Sequence, residues 1–152
     1  NGWLTVTNTE IVDQNKVMEY VINTCKENNW NIYQLCFDPA NASKLMLDLQ
    51  NEGNYEVVEV YQSHRSLNEA TTGFREEVYQ GNVLYEHNPL LNFAMSNAVV
   101  KSNNGLIKID KDISAKRIDP VDALLCAFKL AYYYDVNTNN NDIDEWLDND
   151  TW

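Results

Sequence analysis

Cysteine is scarce in this chain, three in 152 residues. An odd number with no short spacing excludes a disulfide framework or a zinc knuckle as the main staple. Histidine is scarcer still: His64 and His87 lack His-x-x-x-His spacing and have no neighbouring cysteine, so the ligands of a tetrahedral zinc centre are missing. No apolar run approaches the roughly 20 residues of a membrane-spanning helix, and no signal-peptide pattern occurs. Neither a Gly-x-Ser-x-Gly elbow nor a Gly-x-x-x-x-Gly-Lys-[Ser/Thr] loop is present, which removes two common routes to hydrolase and ATP-binding chemistry. Positive charge is the last deficit: 11 Lys and Arg face 23 Asp and Glu, for a net −12 and a pI near 4.4. Bare nucleic-acid binding is driven by phosphate neutralisation, and this balance opposes it.

What is present suits a folded domain. The chain is 44% hydrophobic and 22% charged, and its length suffices to bury a core. Residues 1–135 are expected to form one domain. Residues 136–152 read as an acidic, Asn/Asp-rich flexible tail, with a turn at Ile143 to Leu147; from Asp135 onward there are six acids and no Lys or Arg. Because the chain begins at Asn1 rather than Met, a C-terminal fragment of a longer polypeptide is expected. Lys101, Lys108, Lys111, Lys116 and Arg117 gather before a carboxylate pair, which fits either a solvated hairpin or a local basic edge. A Cys–His nucleophile pair stays open on the sequence, although Cys25, Cys36 and Cys126 all sit among apolar neighbours, the usual setting of an inert thiol.

Strand and helix patterns alternate. Gly2 to Thr7 reads as a short strand. Val17, Met18, Val21, Ile22 and Cys25 mark a helix face, capped by Asp13 and stopped at Asn28-Asn29. Ile32 to Phe37 predicts a buried strand ended by Asp38-Pro39, since the residue before proline stays extended. A helix from Asn41 or Ser43 to Gly53 follows, then a strand from Tyr55 to Tyr61. Helices are predicted over Leu67 to Tyr79, with Gly81 as a stop, and over Pro89 to Val100. A hairpin turns at Asn103-Asn104-Gly105, and a last helix starts at Pro120 with Val121, Leu124, Leu125, Phe128 and Tyr132 on one face. Two strand–helix–strand crossovers in the first sixty residues imply an α/β layered fold with a partly parallel sheet.

Two places carry candidate chemistry. Asp38 sits where an apolar strand ends, the edge at which α/β sheets bind ligands; the same residue also suits an ordinary turn before proline. Asp119-Pro120-Val121-Asp122 describes a well-capped helix start, yet an acid there facing Asp38 makes an oxygen-rich seat for Mg²⁺ or Mn²⁺.

Phe37-Asp38-Pro39-Ala40-Asn41-Ala42, Gln62 with Ser66-Leu67, His87-Asn88-Pro89-Leu90-Leu91, Ser96-Asn97 and Arg117-Ile118-Asp119-Pro120-Val121-Asp122-Ala123-Leu124 follow in an order that resembles the C-terminal nuclease region of the large terminase subunits of tailed phages. The resemblance runs from about Trp3 to Tyr134. It implies an RNase H-like mixed sheet flanked by helices, and a divalent-metal-dependent endonuclease with a two-metal site of Mg²⁺ or Mn²⁺. Such an enzyme cuts concatemeric double-stranded viral DNA in the host cytoplasm, beside portal protein, the small terminase subunit and the ATPase domain of the same parent chain, with no membrane involved. By that resemblance Asp38 and Asp119 match catalytic metal-binding acids. Asp122 is a further metal-ligand candidate, at a position where the family is not reliably acidic. The family also places a metal-binding aspartate on the first strand of the sheet. The sequence begins after that strand, so an incomplete metal site is expected, with cutting expected of the parent protein more than of the fragment. A non-catalytic docking module contacting portal or small subunit is the alternative. A resolvase or transposase core is a weaker one, because it shares the carboxylates without the motif order.

Overall fold

The computed structural model describes residues 4–6, 8, 10–40, 42–111 and 116–132. The described residues form a mixed α/β protein of two compact units that meet in sequence between Val60 and Tyr61.

In the first unit, helix α1 spans Gln14–Asn28. Asp13 caps it through a 3.0 Å bond from the Asn15 amide to its carboxylate. Asn29 ends it in the left-handed region, which asparagine tolerates because its short amide can bond locally. Strand β1 (Leu35–Phe37) is followed by helix α2 (Ser43–Gly53) and strand β2 (Val57–Glu59). The two strands pair in parallel, Leu35 opposite Val57 and Phe37 opposite Glu59, a geometry that requires the intervening helical crossover. Helices α1 and α2 touch, with Met18, Cys25 and Leu49 as their buried apolar side chains.

The second unit holds α3 (His64–Gln80), α4 (Pro89–Asn97), the antiparallel hairpin β3 (Val100–Asn103) and β4 (Leu106–Ile109), and α5 (Asp119–Ala131). Its core joins Phe74, Ala94, Val121 and Leu125, ringed by Val83, Leu91, Ile109 and Phe128. Phe74 and Phe128 meet edge to face at 5.3 Å, the arrangement the ring quadrupoles favour. Helix α3 lies against both β4 and α5, and α4 lies against α5. Gly73 makes the α3–α5 approach possible: a Cβ there would sit 3.1 Å from the Tyr132 ring. At the hairpin tip Asn104 and Gly105 both take positive φ, 50° and 81°, as a turn matching the strand twist requires.

Three expectations need correcting. Leu4 to Val6 has no strand structure and both Leu4 and Val6 are exposed; strand formers order only where a neighbour completes their hydrogen bonds. The described residues therefore show one strand–helix–strand crossover, not two. Both parallel strands are also shorter than the apolar runs that predict them, because the ladder spans three residue pairs. Finally, Asp119 is not the cap of the last helix: Ile118 occupies that position without a side-chain bond, and Asp119 is the first helical residue. Asn41, Tyr133, Tyr134 and the acidic tail from Asp135 lie outside the described residues.

Candidate functional site

Asp38 belongs to the first unit, immediately after β1. It is half-buried, and its Oδ1 accepts a 3.1 Å bond from the Ala40 amide across Pro39. This local turn closes the strand and aims the chain into α2, where the Ser43 hydroxyl donates to the Pro39 carbonyl at 3.3 Å. The functional candidate is thus also a working turn residue.

Asp119 and Asp122 belong to the second unit, in the first turn of α5. Their three-residue spacing puts both carboxylates on one side of the helix. Val121 between them is fully buried and Ile118 before them nearly so, so apolar anchors fix the turn that carries the acids. Lys111 meets both: its Nζ lies 3.8 Å from Asp119 Oδ1 and forms a closer ion pair with Asp122 Oδ2. The two acids differ in setting, the Asp119 side chain being 63% exposed and that of Asp122 11%. Asp122 Oδ2 is buried and is met there by the lysine charge. The N-terminal end of α5 adds a favourable field for both carboxylates.

The fit to a hard divalent cation rests on this arrangement. Two carboxylate oxygens from one rigid helical turn already converge on a single positive centre, and oxygen donors are those Mg²⁺ and Mn²⁺ take. Among the described residues no three or more His, Cys, Asp and Glu side chains gather as a metal-holding group.

The lysines before the acids are engaged internally. Lys101 Nζ lies 3.0 Å from Asp110 Oδ2, Lys108 donates to the Gln62 carbonyl at 2.9 Å, and Lys116 sits 5.2 Å over the Phe93 ring. Asp110, buried directly after β4, escaped the sequence reading. Its amide donates to the Val99 carbonyl at 2.8 Å, so it locks the hairpin base from which Lys111 projects. Its one sequence signal is an acid ending an alternating strand.

Several motif residues turn out to be scaffold. Asn88 caps α4, accepting from the amides of Leu90 and Leu91 at 3.0 and 3.1 Å. Gln62 donates to the Cys126 thiol at 3.4 Å. Ser66 accepts from Lys129 Nζ at 3.1 Å, which ties α3 to α5. Ser96 and Asn97 donate to carbonyls one turn back in α4. Cys25 and Cys126 are buried, as their apolar neighbours predict. In the first unit, burial pushes the Tyr55 phenol up from its ordinary value, and its bond with Cys25 adds to the rise.

The scaffold is mixed α/β, with an acid closing a parallel strand in the first unit and paired acids opening a late helix in the second. The chain belongs to the terminase large subunit endonuclease domain family, whose sequence profile matches residues 1–134. Its fold is also that of the bacteriophage HK97 large terminase crystal structure, at a TM-score of 0.74 and 24% identity. That match covers 84% of this chain and 27% of the HK97 protein, so the chain spans about a quarter of that relative's length. A search of the curated proteins found no match.

Proposed function

We propose that this chain supplies the endonuclease of a phage DNA-packaging terminase and cuts concatemeric double-stranded viral DNA by two-metal phosphodiester hydrolysis. The observation that carries the reading is the family match across residues 1–134, which takes in Asp38, Asp119 and Asp122. When bound, a pair of Mg²⁺ or Mn²⁺ ions supplies an activated water and charge stabilisation at the phosphate. Asp38, Asp119 and Asp122 are the residues assigned to hold them. Asp119, open to solvent, is suited to an exchangeable ligand, while Asp122 offers an oxygen already stripped of water. Cations at these acids also offset the repulsion between an acidic protein and a polyanionic substrate. Portal protein, the small terminase subunit and the ATPase domain of the same large subunit are the assigned partners, in the host cytoplasm.

The test is relaxation of supercoiled plasmid in Mn²⁺ by the large subunit carrying this chain. Asp38→Asn and Asp119→Asn each preserve shape and are expected to lower the rate by about a hundredfold or more, the scale seen when one preorganised electrostatic group is lost. Wild-type rates in either variant would remove that residue from the mechanism.

A further inference from the structure

The carboxylates at the start of α5 already hold a cation, and it is part of the protein. Lys111 Nζ reaches both Asp119 Oδ1 and Asp122 Oδ2. The backbone beneath this lysine is fixed, because the preceding Asp110 is buried, bonded to the Val99 carbonyl and paired with Lys101. The side chain is 52% exposed and carries its charge on a flexible four-carbon stem. Asp122 stands in the opposite condition, its side chain largely withdrawn from water and its buried Oδ2 met by the lysine charge. A carboxylate so placed, beside a second one, needs a positive charge in contact with it. An ammonium group or a divalent ion meets that need, but both cannot occupy the same oxygens.

We propose that Lys111 is a built-in counter-cation for the metal seat, holding Asp119 and Asp122 in place until a divalent ion binds and then swinging out. The inference rests on the reading of Asp119 and Asp122 as metal ligands. Lys111 is on this view a positioning residue, which keeps the site from collapsing when empty and sets a threshold for metal entry.

The experiment compares Mn²⁺ binding by the 152-residue chain and its Lys111→Met variant, using titration calorimetry and thermal melting. Removing the competing charge is expected to tighten Mn²⁺ binding about tenfold, while the metal-free variant melts at a lower temperature and gains more from Mn²⁺ than wild type does. A merely structural ion pair would lower the melting temperature without tightening metal binding. A second measurement needs no variant. Acetylation of lysines in wild type, read by mass spectrometry, is expected to label Lys111 several-fold faster when Mn²⁺ is present, with exposed Lys16 unchanged. Mn²⁺ affinity that is equal or weaker in Lys111→Met, or Lys111 labelling indifferent to Mn²⁺, overturns the counter-cation role and leaves the metal reading standing. Absence of Mn²⁺ binding in both proteins overturns the metal reading and this inference with it.

Discussion

Leu125 sits three residues beyond Asp122 on α5 and is 1% exposed, in contact with the cluster of Phe74, Ala94 and Val121. Truncating it to alanine tests whether that core holds the turn bearing the acids. The change removes three carbons, and at about 0.8 kcal/mol each the lost transfer energy is about 2.4 kcal/mol. The space left is hard to refill. Ala94 carries only a methyl group and cannot extend into it, and Phe74 is held edge to face against Phe128. A persistent cavity adds about 1 kcal/mol, bringing Leu125→Ala to about 3–4 kcal/mol, inside the range of core leucine truncations. Urea unfolding followed by far-ultraviolet circular dichroism reads this as a midpoint lowered by roughly 1–3 M for slopes of small proteins. Leu84→Ala is the matched control: the same atoms are removed from a side chain that is 93% exposed, and its effect should stay within about 0.5 kcal/mol. If Leu125→Ala costs less than about 1 kcal/mol, or no more than Leu84→Ala, the cluster is not what positions α5.

Other outcomes follow from the same geometry. Gly73→Ala should be near neutral, because better helix propensity of up to about 1 kcal/mol is offset by crowding the Tyr132 ring at 3.1 Å; Gly73→Val should lose about 1–3 kcal/mol by overpacking. Thermal melting of both separates the two cases, and a stable Gly73→Val would refute the close approach. Gly105→Ala places a Cβ at φ 81° and should cost the hairpin about 1–2 kcal/mol, measured by chemical denaturation; no loss would mean the turn relaxes to another type. Tyr55 should titrate above its ordinary value of 10.0. Folding favours its neutral form, so its contribution to stability is intact below about pH 10 and fades as the pH climbs through the raised value. The difference in tyrosinate absorbance between wild type and Tyr55→Phe checks this, and a midpoint at or below pH 10 contradicts it.

Local chemistry was readable wherever one residue does a job alone. Asp13 caps α1, Asn29 and Gly81 end helices in the left-handed region, and Asn104-Gly105 turns the hairpin, because each depends on its own backbone and nearest amides. The α5 face was likewise visible as Val121, Leu124, Leu125 and Phe128, since helical periodicity is a property of the chain by itself. The strand expectation at Gly2 to Thr7 went beyond the described structure, where Leu4 to Val6 lie exposed, because pairing is a relation between segments. Asp119 shows the same limit from another side. Its sequence setting is that of a cap, yet the helix boundary falls one residue earlier and the carboxylate turns to Lys111.

What the sequence alone determined is the inventory: an acidic chain short of histidine, cysteine and phosphate-binding loops, with Asp38, Asp119 and Asp122 as its candidate metal ligands and an ordered set of motifs around them. Tertiary structure decided which of those motifs are scaffold. Asn88, Gln62 and Ser66 are spent on caps and inter-element bonds. It also decided that Lys111, one of four lysines in its stretch, stands against Asp119 and Asp122. A charge's partner depends on distances across a folded hairpin and helix, and spacing along the chain does not encode them.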